Sequence, residues 1–231
     1  MRSGSRSPRI DAALRAMASG EFILLYDFDS REGETDFAIR ADAVTFRHIC
    51  QMRRDGGGLI CTAIHPCAAE RLGLPFAYEL LNGSRVVEQI GDVPYDARNR
   101  SSFSIWVNHR STYTGITDRD RAMTINAIAE EVRRSLNGDG EDFARHFRAP
   151  GHVAILRAAE GLLDQRCGQT ELSIALALGA GVTPSVAICE MLDDETGLAL
   201  RKEKAMRYAK ERGLVFVEGE EIMEWWRAGC P

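Results

Sequence analysis

The chain has 231 residues, 45% of them apolar and 27% charged, with a formal net charge of −5 and a pI near 5.6. That is enough apolar matter for one large domain or two small ones, without the basic surplus that marks most nucleic-acid binders. No run approaches eighteen consecutive apolar residues, so no membrane span is expected.

Residues 1–8 are basic but lead into no apolar h-region, which reads as a short flexible tail rather than a secretory signal. Ile10 to Ala18 is expected to be helical and to stop at Ser19-Gly20, and Phe22 to Tyr26 to be a strand. The next ten residues, Asp27 to Asp36, read as a loop with five carboxylates: Asp27, Asp29, Glu32, Glu34 and Asp36. Thr45 to Arg54 reads as a helix N-capped by Thr45. Gly56-Gly57-Gly58 breaks it ahead of a buried strand, Leu59 to Ile64, and Pro66 to Leu72 suits a helix with Pro in its first turn.

Phe103 to Val107 alternates like a strand, and Asp118 to Leu136 is the longest helical pattern. Val153 to Leu156 is read as strand, Leu172 to Leu178 as helix and Val186 to Met191 as strand. Arg201 to Arg212 (helix), Leu214 to Val217 (strand) and Glu220 to Arg227 (helix) close the chain. The order is mixed. Segments 83–100 and 137–150 fit no repeating βαβ unit, and no linker divides the chain, so 9–231 is expected to be one domain. The six cysteines (Cys50, Cys61, Cys67, Cys167, Cys189 and Cys230) are scattered, mostly in apolar runs, and form no C-x-x-C pair. Such usage suits a reducing, cytoplasmic setting.

Four features could carry chemistry. The five carboxylates are close enough to raise one another's pKa or to collect a divalent cation, although a charge run of this kind is more often a solvated loop. Gly33 between Glu32 and Glu34 permits a tight backbone path, and Arg31 stands beside Glu32. Arg166-Cys167-Gly168-Gln169-Thr170 runs into a helix, where free N–H groups can bind phosphate; an ordinary N-cap by Thr170 is the simpler reading of the pentapeptide alone. His152 leads into a strand, and Glu190 ends one. For both, a structural role competes with a functional one.

Together these segments resemble one family. Tyr26 to Asp36 is similar to the acidic loop of the 3,4-dihydroxy-2-butanone 4-phosphate synthases, in an archaeal-like form. Gly57 to Ala63, Ser101 to Ser104, Thr114 to Arg121, Pro150 to Val153 and Ile188-Cys189-Glu190 resemble further blocks in the same order, over about residues 10–225. The resemblance implies an α+β fold, a single-domain α/β sandwich that forms a homodimer, with 9–231 as its catalytic domain. It implies a lyase of riboflavin biosynthesis that converts ribulose 5-phosphate, with Mg²⁺ or Mn²⁺, to 3,4-dihydroxy-2-butanone 4-phosphate and formate. Its partners would be the sugar phosphate and a second copy of the chain, with no nucleic acid and no membrane.

Carried over residue by residue, His152, Glu190, Glu34 and Cys61 are catalytic, Cys61 as part of the site wall. Arg31, Asp36, Thr114, Arg166, Gly168 and Thr170 bind substrate, and Glu32 is a metal ligand. One departure stands out. The family loop reads Gly-His-Thr-Glu, its His being the second metal ligand, whereas this chain has Gly168-Gln169-Thr170-Glu171. An amide oxygen at Gln169 can ligate Mg²⁺ but cannot shuttle protons, so the metal would be weakly bound. Several accounts fit: an ordinary synthase with a weaker site, an introduced change that traps a complex, or a paralogue that enolises and dehydrates ribulose 5-phosphate and releases another product such as the 2,3-dione. A sugar-phosphate-binding protein without turnover is the reading from another class.

Overall fold

In the computed structural model the described residues are 7–82, 84, 93–96, 99–139 and 143–229. Most of the tail, Cys230 and parts of 83–100 and 137–150 lie outside them. Pro8, assigned to the tail, is already helical: the Ser7 hydroxyl accepts the Arg9 N–H at 3.3 Å and α1 spans Pro8–Ser19. There follow β1 (Ile23–Tyr26), β2 (Thr35–Arg40), α2 (Phe46–Asp55), β3 (Cys61–Ile64), α3 (Pro66–Arg71), α4 (Ala77–Leu81) and β4 (Phe103–His109). The second half holds α5 (Asp118–Asn137), α6 (Phe143–His146), β5 (Phe147–Arg157), α7 (Gln169–Gly179), β6 (Ser185–Glu190), α8 (Lys202–Arg212), β7 (Val215–Glu218) and α9 (Gly219–Arg227).

The strands form a seven-stranded mixed sheet ordered β4-β5-β3-β6-β2-β1-β7. β1/β7 and β3/β5 are parallel and the other pairs antiparallel. Side chains alternate between two cores, as the period of a strand requires. Phe37, Ile39, Val107, Val153, Ile155, Ala187 and Cys189 pack under α2, α5 and α8. Leu25, Ala38, Cys61, Ala154, Val186 and Ile188 pack under α1, α7 and α9. The fold is thus the α/β sandwich expected. α7 is buried from Gln169 to Ala177, so it is apolar on nearly every side.

Four elements depart from the sequence reading. β2 was taken for the end of the acidic loop and the start of a connection. Its polar members Thr35 and Asp36 are buried, so its pattern shows none of the polar-out alternation by which half-buried strands are recognised. β5 begins six residues earlier than expected, and α4 and α6 are helices of one turn that carry little periodicity. Gly151 is fixed by packing, since a Cβ there would collide with the backbone of Val107 across the β4/β5 ladder.

Candidate active site

The acidic segment closes the β1–β2 hairpin and is built around Asp27, which is 1% exposed. One Asp27 oxygen accepts the Glu34 N–H at 3.0 Å, and the other accepts the Glu32 N–H at 3.0 Å and an Arg31 N–H at 3.3 Å. Gly33, at φ 66°, takes the left-handed turn that lets Glu32 and Glu34 flank it. The solvated-loop reading is therefore overturned for Asp27 and Asp36: both are buried.

The β2/β6 register sets Asp36 directly opposite Glu190, and the β3/β6 register sets Cys61 opposite Ile188. Asp36, Glu190 and Cys61 thus share the face that α7 covers. Like charges opposite one another repel, and burial adds to the cost. Burial first, then Glu190, Glu32 and Glu34, holds the Asp36 carboxyl well above the usual range. Burial, then Glu32, raises Glu190. Glu34 is pushed up to about 7 by burial, then by Glu32 and Glu190, and the Cys61 thiol rises by burial, then by Glu190 and Asp36. Asp36 Oδ1 is buried without a hydrogen-bond partner among the described residues. Such a group of carboxylates takes up a proton or a cation.

The sign for stability follows from linkage. Glu34 titrates at 4.5 in its ordinary state and at about 7 in the folded chain. Between those values the folded chain holds a proton that the unfolded chain has lost, so this contribution is lost as pH rises through the folded value. Asp36 and Glu190 act in the same direction. Metal-free protein is expected to show a Tm contribution that declines up to about pH 7 and is smaller in Glu34→Gln. Thermal melts of both proteins in chelator across that range check it, and parallel pH profiles would refute it.

At the start of α7 the structure corrects the phosphate-loop reading. The N-cap is Gly168, not Thr170, which lies in the first turn. The fully buried Glu171 carboxylate accepts the N–H groups of Gly168 at 3.3 Å and Ala159 at 2.9 Å, and pairs with Arg166 at 2.6 Å. The Gly168 N–H is therefore already used, and the Arg166 charge is already balanced. Burial first works against the Arg166 cation, but the adjoining Glu171 carboxylate outweighs it and keeps the guanidinium charged.

Gln169 reaches across to the acidic loop. Its Oε1 accepts from Arg31 at 3.3 Å and its Nε2 donates to the Glu34 carbonyl at 3.4 Å. Glu32 Oε1 lies 3.0 Å from the same Arg31 nitrogen. Glu32 and Gln169 thus converge on one positive charge, a donor set that suits a hard divalent cation. Among the described residues no trio of His, Cys, Asp or Glu converges in this way. Glu32 and Gln169 are therefore the residues that could hold a metal, with Asp36 and Glu190 adding negative charge nearby.

A cavity of about 90 Å³ is lined by Glu32, Asp36, Gln169, Thr170, Arg166 and Glu190, and closed by Tyr95, residues 101–103, Leu156 and Ile188. Tyr95 was missed by the sequence reading. Its hydroxyl bonds to Glu32, and its pKa is pushed up to about 12 by burial first and then by Glu32. A lone aromatic in an irregular segment carries no signal of that contact.

His152 and Thr114 are not at this cavity. Both are exposed and joined through Asn108, a residue the sequence reading did not single out. Asn108 Oδ1 accepts the His152 N–H at 2.8 Å, and its Nδ2 lies 3.1 Å from His152 Nδ1 and 3.5 Å from the Thr114 carbonyl. By the register of β5 on β3, His152 is at the same sheet end as Glu190, about 10 Å away across two strand spacings. Tyr113 (95% exposed) and Ile116 (51%) flank Thr114 in the chain, and Trp106 (39%) precedes Asn108 on β4.

Comparison with known proteins gives a consistent result. Residues 11–225 match the family model described as 3,4-dihydroxy-2-butanone 4-phosphate synthase. A protein of that name from Methanosarcina mazei is 56% identical over 93% of this chain and 90% of its own. The one from Archaeoglobus fulgidus is 56% identical over 94% and 93%. A crystal structure of such a synthase in complex with two magnesium ions superposes with a TM-score of 0.77 at 31% identity, over 92% of this chain and 94% of that one. A cation-free form gives 0.78 at 28% identity, over 95% and 97%.

Proposed function

The chain belongs to the 3,4-dihydroxy-2-butanone 4-phosphate synthase family, and we propose that the cavity between the acidic loop and α7 is its active site. The enzyme is a lyase of riboflavin biosynthesis acting on ribulose 5-phosphate. The atoms balance as C5 sugar phosphate to C4 ketone phosphate plus formate. The observation that carries the site assignment is the buried Asp36–Glu190 pair on neighbouring strands, with Glu34 beside it. Burial and neighbouring negative charge raise the proton affinity of all three, so a deprotonated member can take up a carbon-bound proton and a protonated member can give one to a departing hydroxyl. Cys61, opposite Ile188, backs the wall that Ile188 lines. Arg31, the Nε edge of Arg166 and Thr170 orient the phosphate end, with Gly168 leaving room for the two guanidinium groups.

A divalent cation on Glu32 and Gln169 would supply positive charge to an oxyanion developing on the substrate. The amide ligand makes that cation weakly held. Gln169→His is expected to tighten Mn²⁺ binding on the order of tenfold, the scale of a change to one supporting group; calorimetric titration checks it, and unchanged affinity would remove Gln169 from the metal. The relatives named above do not favour a diverged product or a non-catalytic binder.

The same reading takes the enzyme to be a cytoplasmic homodimer. The exposed Tyr113, Ile116 and Trp106 supply an apolar surface for a second copy, and the absence of a disulfide among the five described cysteines suits a reducing setting. Incubation with ribulose 5-phosphate and Mg²⁺ tests the function. One formate should appear per sugar phosphate consumed, and binding without consumption would overturn the reading.

A further inference from the structure

Arg31 is positioned against the would-be metal ligands in a way that its substrate-binding role does not require. Among the described residues one terminal nitrogen, Nη1, makes all of its side-chain hydrogen bonds: to Asp27 Oδ2 at 3.3 Å and to Gln169 Oε1 at 3.3 Å. It also sits 3.0 Å from Glu32 Oε1. These are the same Glu32 and Gln169 oxygens that converge as metal donors. The other edge of the guanidinium is idle. Among the described residues its Nε and Nη2 are buried with no hydrogen-bond partner, and the side chain is only 8% exposed.

A buried guanidinium normally uses its whole fork of donors, and the Nε/Nη2 edge is the one that grips a phosphate or carboxylate with two parallel bonds. That edge faces a second incompletely used arginine. A Cβ on Gly168 would fall 3.0 Å from Arg31 Nη2 and would collide with Arg166 Nη1, so both guanidinium groups meet over this glycine. Arg166 Nε is also buried without a partner among the described residues. The Tyr95 ring, 5.1 Å from the Arg31 guanidinium carbon, gives the plane a face along which to move.

We propose that Arg31 and the divalent cation compete for the Glu32 and Gln169 oxygens, and that the substrate's phosphate decides the competition by engaging the idle edge of Arg31 and drawing it off them. The proposal rests on the assignment of Glu32 and Gln169 as metal ligands. Its consequence is an order of binding: the sugar phosphate comes first, and the metal binds well only afterwards. Arg31 is a positioning residue in this step. It holds the two oxygens together and keeps a free cation from settling where no substrate is present. By reciprocity, metal and phosphate must then raise each other's affinity.

The test uses Mn²⁺ as the probe, with free ion counted by electron paramagnetic resonance in the absence of sugar phosphate. Arg31→Gln removes the competing charge and should bind Mn²⁺ on the order of tenfold more tightly than the parent, although its turnover falls. Affinity that is equal or weaker would overturn the proposal, because a residue that only binds substrate would leave the metal unaffected and one that supports the metal site would weaken it. The parent protein provides a second arm that needs no variant to fold. Saturating methyl phosphate, which has no hydroxyl to chelate the ion, should tighten Mn²⁺ binding to the parent and leave Arg31→Gln unchanged. No tightening in the parent would equally overturn the proposal. Formate release by the parent enzyme is measured separately, so failure of the functional reading and failure of this inference are distinguishable.

Discussion

Replacing Glu32 by Ala is expected to abolish metal-dependent formation of formate while leaving the chain folded. Glu32 is one of the two ligands proposed for the cation, and the other is a neutral amide, so the variant loses the anionic one. The fold should be indifferent. The Glu32 side chain is 17% exposed, Arg31 keeps its bond to Asp27, and the Asp27 carboxylate still holds the backbone N–H groups of residues 32 and 34. A stability change within about 1 kcal/mol is expected for a loop carboxylate of this kind. Formate release across a magnesium titration, together with urea denaturation of the same sample, measures both. Retained turnover would take the loop out of the site, and unfolding would assign Glu32 to the scaffold.

Glu190→Gln and His152→Ala should each lower kcat by about two to four orders of magnitude, the usual scale for a positioned proton-transfer group. They act from different places. Glu190 is in the cavity, opposite Asp36, and the amide removes its proton chemistry with little change of shape. His152 stands outside it on an exposed patch. If a second copy brings His152 to the neighbouring cavity, mixing the two inactive variants restores part of the activity, because some mixed dimers contain one cavity with both groups intact. Two slow variants that stay slow on mixing would place His152 and Glu190 at one cavity of a single chain. Near-normal rates in both would refute the transfer of roles from the family.

Much of the fold was legible because its signals are local. Gly20 ends α1 in the left-handed conformation that glycine favours, Thr117 caps α5, and β1, β3 and β6 are short apolar runs of the kind that fully buried strands require. The acidic loop stood out for the same reason, as a contiguous stretch whose residue types are unusual together, whereas Gly168-Gln169-Thr170 and Glu190 were told from ordinary structural residues only by the family resemblance.

What the sequence could not show was which of these groups share a space. Asp36 meets Glu190 across 154 residues only through the β2/β6 register, and a register is a property of the sheet, not of either strand. The raised proton affinity of both follows from that meeting and from burial. Glu171 spends the Gly168 N–H and balances Arg166 because the packing of α7 leaves its carboxylate no water to bind. Arg31 faces Gln169 because the hairpin and α7 are folded onto the same end of the sheet, and His152 is left at the surface because its strand lies two places away from Glu190. The residue types of the site, and so its chemistry, were written in the chain; their pairing, charge state and separation were decided by tertiary contacts, where burial turns like charges on neighbouring strands into a site for protons and cations.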